Sequence, residues 1–397
     1  MENIFELSNP ELKEIANNLQ AKIEEGLERE NAEILAIPTY LNPPKGKIED
    51  QKVLVLDWGG TNFRAAIVEF KDNLPIIIDS VKGTLSSQDT VGFDMNKLME
   101  KMTEYIEQLK LDDSIVRIGY CFSYPASSER NGDAKLLRWT KGFNIPDMIG
   151  KTIGEHLLDY LNNHKNIPCR FRSIKVINDT VSCLFAGLSA QGRDAYIGLI
   201  VGTGTNMAAL MPINKIQKVR SKDTGAIPVN LESGNFKPPY LTTIDNLVDA
   251  MSNSQGNQRF EKAISGGYLG EIFKTIFPLR RIPYNFDAEG LSNMITHPND
   301  HPKEFVEAAN WIYTRSAYLV AASIAGLVQV LKKQNEQIKN VYLAADGSLF
   351  WSNHYLELVK NKFNELLSTV ELEIGEQREH PNLIGSAIAA LAPCTAW

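Results

Sequence analysis

Residues 53–64 constrain the fold of this chain more than any other segment. Four apolar residues predict a buried strand that ends at Asp57, and two glycines, Thr61 and Asn62 follow. Glycines let a backbone turn tightly and bring its N–H groups against a phosphate without an intervening side chain. The two polar side chains add hydrogen-bond donors, and Asp57 is suited to hold a magnesium ion through water. The segment therefore predicts a phosphate-binding turn, although Gly-Gly between strands is also typical of an ordinary β-hairpin.

A second segment repeats this pattern. Residues 196–209 run as an apolar strand, a Gly-Thr-Asn triplet at 204–206 and then small residues that begin a new strand. The triplet matches the one at 60–62, so we infer an internal duplication with one phosphate-gripping hairpin in each half. Val201 stands near the place that Asp57 would occupy, so only the first half would carry the metal-facing acid. Two such hairpins facing each other across a cleft would hold the polyphosphate of a nucleotide between them.

Length and composition indicate an ordinary enzyme of two domains. The chain has 397 residues, 43% of them hydrophobic, which is enough for two large cores. A net charge of -7 argues against nucleic acid or an anionic membrane as the main partner. The amino terminus lacks a signal-peptide pattern, and the four scattered cysteines indicate reduced thiols and no zinc site. We therefore expect a cytoplasmic protein without a membrane partner, acting as a monomer or homodimer.

The hydrophobic periodicity predicts a mixed α/β chain with an irregular, proline-containing connector at 35–50. A strand, a hairpin and a second strand are expected from 53 to about 78, and a helix is expected after 178–180. Further strands are predicted over 115–120, 174–177 and 341–344, and helices over 9–28, 95–109, 240–251, 258–277, 302–333 and 383–393. The helix at 302–333 is apolar, but we expect it to be buried and not to span a membrane, because Arg315 and Ser316 interrupt it.

Polar residues in loops after strands suggest a polyhydroxylated ligand. Ser123 follows one predicted strand, and Thr140 and Lys141 lie in a loop shortly after it. Hydroxyl and ammonium groups in such loops are the hydrogen-bonding groups expected around a sugar. Tyr-Pro after Ser123 and Lys-Gly after Thr140 are equally compatible with plain turns.

Four carboxylates are candidates for chemistry or ligand binding. Asp179 sits between a strand and a helix, where it would either cap the helix or accept a proton from a sugar hydroxyl that attacks phosphorus. Glu232 and Glu261 lie close to glycines, and a carboxylate that accepts two hydroxyl hydrogen bonds suits a vicinal diol. The Asp-Gly-Ser run at 346–348 is compatible with an adenosine contact or with a simple turn.

Taken in order from about 53 to 390, these motifs resemble those of the hexokinases, of the actin-like and sugar-kinase ATPase superfamily. The run from 246 to 270 is the most family-specific part. The resemblance implies a duplicated actin-like, ribonuclease H-like α/β fold with two domains flanking a central cleft. It assigns 50–178 plus 383–397 to a small domain and 1–49 plus 179–382 to a large one.

The resemblance also implies an activity, the transfer of the γ-phosphoryl group of ATP to the 6-hydroxyl of a hexose, with Mg²⁺ as cofactor. Glucose is the expected substrate, with mannose or fructose as alternatives, and the reaction would feed glycolysis. Asp179 resembles the catalytic base, with Lys141 beside it. The implied sugar-binding set is Ser123, Thr140, Lys141, Asn178, Asp179, Asn206, Glu232 and Glu261. The implied ATP and magnesium contacts are Asp57 (the magnesium acid), Gly59, Gly60, Thr61, Asn62, Arg64, Gly202, Thr203, Gly204, Gly347 and Ser348.

The chain departs from the family pattern in two places. Ser233 stands where the family usually has a tryptophan, so the preferred sugar is open. The glycine- and lysine-rich loop that usually precedes the last helix is missing at 378–387, which leaves the adenine contacts open. A narrower mannose, fructose or amino-sugar kinase and a sugar sensor that has lost its chemistry remain alternatives. An actin-like polymer or chaperone ATPase would have no use for the sugar-binding set.

Overall fold

The computed structural model describes residues 2–44, 46, 48–190, 192–221, 223–352 and 354–396. Residues 45 and 47 of the predicted connector, and residues 1, 191, 222, 353 and 397 of the predicted domains, lie outside this range. The helices are α1 (Asn9–Glu28), α2 (Met95–Ile106), α3 (Ile153–Asn163), α4 (Asp179–Gly187), α5 (Thr243–Met251), α6 (Arg259–Ile264), α7 (Gly266–Ile276), α8 (Ala288–Thr296), α9 (Lys303–Gln334), α10 (Tyr355–Leu366) and α11 (Pro381–Ala390).

The strands belong to two mixed sheets and one small hairpin. They are β1 (Ile37–Pro38), β2 (Gln51–Trp58), β3 (Asn62–Lys71), β4 (Leu74–Thr84), β5 (Arg117–Phe122), β6 (Ala126–Ser128), β7 (Ala134–Leu136), β8 (Ser173–Ile177), β9 (Ala195–Val201), β10 (Thr205–Pro212), β11 (Ala226–Asn230), β12 (Asn340–Asp346) and β13 (Glu371–Ile374). The strands β6 and β7 form the hairpin.

The first sheet has the order β4-β3-β2-β5-β8. Its first three strands are antiparallel, whereas β2, β5 and β8 run parallel. In the register of the parallel strands, Asp57 lies beside Cys121, and Cys121 lies beside Ile177. The loops that follow these three strands therefore leave the sheet at one edge, which is where α/β sheets place ligands.

The second sheet repeats this topology. Its order is β1-β11-β10-β9-β12-β13, and without the short edge strand β1 it again has three antiparallel strands followed by parallel ones. The repeated topology agrees with the inferred duplication and with the expected α/β fold of two related halves. The helix α11 packs on the first sheet and α4 packs on the second, and the two helices pack against each other. This helix pair joins the two halves of the molecule.

The long helix α9 forms the centre of the second half. By length and composition it is apolar enough to cross a membrane, but 83% of its most apolar stretch is buried inside the protein. It packs against α1, α8 and α10. The prediction of a buried helix at 302–333 therefore agrees with the structure. Arg315 and Ser316, the polar residues that interrupt the apolar run, are themselves buried.

Three element predictions were wrong in detail. The helix expected over 258–277 is two helices, because Ser265 is extended between α6 and α7 and the next two N–H groups bond to the carbonyls of Gly202 and Thr203. The first half has three antiparallel strands and not two, since β4 continues to Thr84. The connector at 35–50 is not wholly irregular, because the two residues of β1 pair with β11.

Candidate active site

Three of the predicted site residues follow neighbouring strands. Asp57 lies at the end of β2, Ser123 follows β5, and Asp179 comes two residues after β8. Because these strands are parallel and adjacent, their carboxyl ends bring the three side chains to one edge of the first sheet. The loop after β9 and the turn after β12 occupy the equivalent edge of the second sheet.

Asp57 is a buried carboxylate whose contacts with Arg64 and Asn382 are long for hydrogen bonds. It is 8% exposed, and its two oxygens lie 3.5 Å from Arg64 Nη1 and 3.5 Å from Asn382 Nδ2. Burial raises the pKa of Asp57 to about 6, although the positive charge of Arg64 opposes this, and the negative charge of Asp179 adds to it. A nearby cation would stabilise the ionised form of this carboxylate.

Lys141 bridges two predicted site loops. Its backbone is in the left-handed region with a φ of 57°, which is uncommon for a residue other than glycine. The ammonium donates to the carbonyl of Gly59 and, at 3.0 Å, to the carbonyl of Ser123. It also lies 5.1 Å from the centre of the Tyr124 ring. The preceding residue, Thr140, is half-buried.

The close packing of these loops depends on Gly59. A Cβ at this position would lie 2.7 Å from both Cβ and Oγ of Ser123. Gly60 is different, because a Cβ there would meet no atom within 4 Å. Thr61 and Asn62, at the tip of the hairpin, are exposed. The first glycine therefore packs against protein, and the second leaves open space at the tip of the hairpin.

Asp179 is the first residue of α4 and not its cap. The cap is Asn178, whose side-chain oxygen accepts from the N–H of Thr180 at 2.9 Å. Asp179 Oδ1 accepts from the same N–H at 2.8 Å. Burial raises the pKa of Glu232 and of Asp346, and the negative charge of Asp179 adds to both effects. The Asp179 carboxylate therefore lies within electrostatic range of acids from both sheets.

A chain of side-chain hydrogen bonds joins the ends of β10 and β11. Asn206 Nδ2 donates to Asn230 Oδ1 at 2.7 Å, and Asn230 Nδ2 donates to Glu232 Oε1 at 2.8 Å. The N–H of Ser233 closes the chain by donating to Asn206 Oδ1 at 3.1 Å. Glu232 has a φ of 56°, a second left-handed backbone among the predicted site residues. These bonds fix one oxygen of Glu232 and hold the carboxylate against β10.

Glu261, on α6, meets the same strand from the other side. Its Oε2 accepts from the N–H of Thr205 at 3.1 Å. Burial raises the pKa of Glu261, while the N–H of Thr205 and the charge of Lys141 lower it. A Cβ on Gly204 would lie 2.7 Å from the same carboxylate oxygen. Gly204, predicted from the sequence as a phosphate contact, is thus also required for the packing of Glu261.

The second glycine loop meets the turn after β12. A Cβ on Gly202 would lie 3.3 Å from Gly347 Cα, and Gly347 has a φ of 111°, which favours glycine. The carbonyl of Gly202 accepts from the N–H of Gly266 at 2.7 Å, and the carbonyl of Thr203 accepts from the N–H of Gly267. Thr203 and Ser348 are exposed. The structure thus brings the predicted second phosphate loop and the predicted adenosine turn together.

Four residues of the site were not predicted from the sequence. Asn230 lies between Asn206 and Glu232, Asn382 contacts Asp57, and Tyr124 packs beneath Lys141. Cys121 lies beside Asp57 in the parallel register. Of these, Asn230 carried a detectable signal, because it stands two residues before the predicted sugar ligand Glu232.

The acids of the site suit a magnesium ion bound with a nucleotide. Within the described part of the chain, no three metal-binding side chains cluster around one point. Mg²⁺ is commonly held by one or two carboxylates, waters and substrate phosphates, so a full protein cage is not required. Asp57 has the needed chemistry, because it is a buried carboxylate and the nitrogens of Arg64 and Asn382 both lie 3.5 Å from its oxygens. The residues present therefore fit Mg²⁺ near Asp57.

Comparison with known proteins identifies the class of protein that this fold and site define. Two hexokinase family models match residues 1–188 and then 196–279 with 286–392. The chain therefore belongs to the hexokinase family and is an ATP-dependent sugar kinase, a phosphotransferase. It is similar to hexokinase-2 of Schizosaccharomyces pombe, with 27% identity over 98% of this chain and 95% of that protein. It is also similar to hexokinase-1 of Nicotiana tabacum, with 28% identity over 96% of this chain and 86% of that protein.

Solved structures agree on the fold. A Schistosoma mansoni hexokinase in complex with glucose superposes with a TM-score of 0.79 and 24% identity, covering 98% of this chain and 96% of that one. A Thermus thermophilus ROK hexokinase gives a TM-score of 0.57 at 18% identity, covering 86% and 98% of the two chains. These likenesses support the two-domain α/β architecture.

Proposed function

We propose that this protein transfers the γ-phosphoryl group of ATP to the 6-hydroxyl of a hexose, with glucose as the main substrate and Asp179 as the general base. The observation that carries the proposal is the position of Asp179. It follows β8 at the edge of the first sheet, and its negative charge influences Asp57 on one side and Glu232 on the other. A carboxylate between a phosphate-side acid and a sugar-side acid is well placed to act on the attacking hydroxyl.

In this proposal the side chains hold the sugar and move one proton. Asp179 accepts the proton of the 6-hydroxyl as that oxygen forms its bond to the γ-phosphorus and the bond to the ADP oxygen breaks. Asn206, Glu232 and Glu261 bind hydroxyls from the side of the second sheet, and Ser123, Thr140, Lys141 and Asn178 bind from the first. Phosphoryl transfer requires alignment and charge neutralisation more than covalent chemistry, and Lys141 supplies a positive charge.

The two glycine loops would hold the nucleotide. Open space at Gly60 and the exposed Thr61 and Asn62 support phosphate contacts at the first hairpin. Thr203 in the second loop and Ser348 in the turn would face the remaining phosphates and the adenosine. Asp57 would hold the magnesium ion, which when bound would supply positive charge to offset that of the phosphates. Arg64 would remain the protein's own fixed charge beside Asp57.

We further propose the two domains that the family resemblance implies, 50–178 plus 383–397 and 1–49 plus 179–382. The packing of α11 on the first sheet supports the assignment of the last helix to the first domain. The sugar-binding residues come from both domains, so binding of the hexose would draw them together and exclude water, which is a competing nucleophile. We place this reaction in the cytosol, at the start of hexose breakdown, in a monomer or homodimer.

A second candidate function is a kinase with a narrower or different sugar preference. It is favoured by Ser233, whose hydroxyl is fully buried and has no hydrogen-bond partner among the described residues. Ser233 directly follows the proposed sugar ligand Glu232 and replaces the bulkier tryptophan usual in the family. A smaller side chain here would alter the support of that carboxylate and hence the choice among glucose, mannose, fructose and amino sugars.

A coupled assay for ADP release, with Mg-ATP and a panel of hexoses, tests both candidates. We expect turnover of glucose by the wild type, and a loss on the order of 10²–10⁴ in kcat in Asp179→Ala, since general-base catalysis contributes about that much. Sugar binding, measured by calorimetry, should largely survive in the variant. Preference for another hexose would favour the second candidate. Hexose binding by the wild type without any turnover would refute the kinase and indicate a sensor.

A further inference from the structure

The helix that carries Glu261 is too short to hold its own position. It has six residues, and its N-cap residue, Gln258, has a left-handed backbone and no capping side-chain hydrogen bond. Isolated helices of this length are unstable in water, because the first turn fixes several residues for a single hydrogen bond. The direction in which Glu261 points therefore depends on contacts that α6 makes with the rest of the second half.

The amino-terminal part of α6 is held by the bond from the N–H of Phe260 to the carbonyl of Phe236, at 2.9 Å, and by a buried carboxylate, Asp249 on α5. Asp249 is 5% exposed and accepts from Lys262 Nζ at 2.6 Å and from Arg259 Nη1 at 3.2 Å. It also accepts from the N–H of Gly256 at 3.0 Å. The two cations flank Glu261 in sequence. Arg259 stands two residues before it, and Lys262 directly follows it. A single acid thus fixes α6 on both sides of Glu261.

The same cations make further bonds that set the position of α6. Lys262 is 3% exposed and also donates to the carbonyl of Ser254 at 2.7 Å. Arg259 Nη2 donates to Asn246 Oδ1 at 2.6 Å. Both acceptors lie on α5 or in the loop after it, as does Asp249. The buried ammonium of Lys262, with its hydrogen bonds satisfied, favours one geometry, because an alternative would leave a charge unpaired in the interior.

The carboxyl end of α6 is fixed separately, by α9. Ser316 Oγ donates to the carbonyl of Ile264 at 2.7 Å, and Arg315 Nη2 lies 3.4 Å from the carbonyl of Ala263. Arg315 also forms a buried, bidentate pair with Asp245 of α5, at 2.7 and 2.8 Å. Removing the charge of Asp249 would therefore free the Arg259 and Lys262 side chains and let α6 shift, while Phe260 and the carboxyl end of the helix stay attached to the core.

We propose that Asp249 is a positioning residue for the hexose, which acts by holding Arg259 and Lys262 so that Glu261 meets the N–H of Thr205 in the cleft. This inference rests on the proposed function, since it assumes that Glu261 binds sugar. Asp249 itself is buried beneath α6 and contacts no substrate. Loss of Asp249 should weaken hexose binding and spare nucleotide binding, which depends on the two glycine loops.

The test compares Asp249→Asn with the wild type in steady-state kinetics. The asparagine keeps the shape and removes the charge that pairs with Lys262 and Arg259. We expect the KM for glucose to rise roughly 10- to 100-fold, the range that small displacements of a substrate-positioning group produce. The KM for ATP should stay within about twofold, because the N–H groups of Gly266 and Gly267 on α7 still hold the carbonyls of Gly202 and Thr203 in the second glycine loop.

A double-mutant cycle separates positioning from general destabilisation. If Asp249 acts through Glu261, the variant with both Asp249→Asn and Glu261→Gln should have the same KM for glucose as Glu261→Gln alone. Multiplicative effects of the two substitutions would overturn the inference. If Asp249→Asn does not fold, Lys262→Gln replaces it and should show the same selective rise and the same non-additivity with Glu261→Gln.

A matched control is available in the first half. Asp133 is also a buried carboxylate, 2% exposed, and accepts from the N–H groups of Gly154 and Glu155 at 2.7 and 2.8 Å. Asp133→Asn should lower Tm and leave the KM for glucose unchanged. An equal rise in the control would overturn the inference. An unchanged KM in Glu261→Gln would instead remove Glu261 from the proposed sugar site, and the inference with it.

Discussion

At the scale of single residues, the site combines two left-handed backbones with several buried charges. Lys141 and Glu232 both have left-handed backbones, which cost free energy in a residue other than glycine and persist only where surrounding contacts impose them. The contacts in question are the carbonyls that Lys141 bonds and the Asn230 amide that bonds Glu232. Residues held in this way lose little freedom when a ligand binds. Two residues proposed to bind sugar, Lys141 and Glu232, are thus among the described residues whose backbone departs from the usual preference of their type.

Glu232 makes the free energy of unfolding of the ligand-free protein depend on pH. Burial raises the pKa of Glu232, and the hydrogen bond from Asn230 only partly opposes this. The folded state therefore binds the proton more tightly than the unfolded chain, whose glutamate pKa is about 4.3. The stability from protonation is complete below the unfolded pKa and is lost as pH rises through the folded one.

We expect the free energy of unfolding of the wild type to fall, relative to Glu232→Gln, as pH rises from about 4.3, since glutamine does not titrate. Urea unfolding at a series of pH values without sugar measures this. If the free energies of unfolding of the wild type and of Glu232→Gln change in parallel with pH over the acidic range, Glu232 keeps an ordinary pKa.

At the scale of elements, the sequence predicted the parts that repeat and missed those that depend on distant contacts. The hairpin signal at 53–64 and its copy at 196–209 predicted the β2–β3 and β9–β10 hairpins, because apolar runs and Gly-Thr-Asn turns are local signals. The break at Ser265 was missed, since it depends on carbonyls of the second glycine loop, sixty residues earlier. The hydrophobic pattern of residues 258–277 contains no signal of such a contact.

The same limit applies to the site. Asp57 and Asp179 follow strands, and the parallel order of those strands suffices to bring their ends together. The contact of Asn382 with Asp57 joins α11 to β2 across most of the chain, and one sequence without its fold does not reveal it. The role of Gly204 was only partly predicted, because its packing against Glu261 appears only once α6 is placed.

The first hairpin provides a matched pair of glycine substitutions. In Gly59→Ala the new methyl group would lie 2.7 Å from Ser123, so either β2 or the Ser123 loop must shift. We expect a loss of about 1–3 kcal/mol in the free energy of unfolding, as for other overpacked positions, and a rise in the KM for glucose. Gly60→Ala meets no protein atom within 4 Å and should leave stability unchanged.

If phosphate approaches at Gly60, that substitution should raise the KM for ATP and spare the KM for glucose. Urea unfolding and two-substrate kinetics on both variants measure these effects. A normal KM for ATP in Gly60→Ala would place the phosphates elsewhere along the hairpin.

At the scale of the whole molecule, two hydrophobic cores meet at one helix pair. One core fills the first half around β2, β5 and α2, and the larger one surrounds α9 in the second half. A third cluster, around α4 and α11, joins them. Two cores with a limited junction are expected to unfold as separate units unless something bridges them. A hexose would be such a bridge, because its proposed ligands come from both halves.

We therefore expect calorimetry without sugar to show a calorimetric enthalpy of unfolding larger than the van't Hoff enthalpy, the sign of more than one unfolding unit. At a glucose concentration of 100 times Kd, binding should stabilise the folded protein by about 2.7 kcal/mol. The ratio of the two enthalpies should then approach one, because neither half can unfold without releasing the sugar. Lys141→Met and Glu261→Gln, which remove one ligand from each half, should each restore the larger ratio at the wild-type glucose concentration. If glucose shifts the unfolding of one half and leaves the other unchanged, the sugar binds to a single half and the proposed convergence across the cleft is wrong.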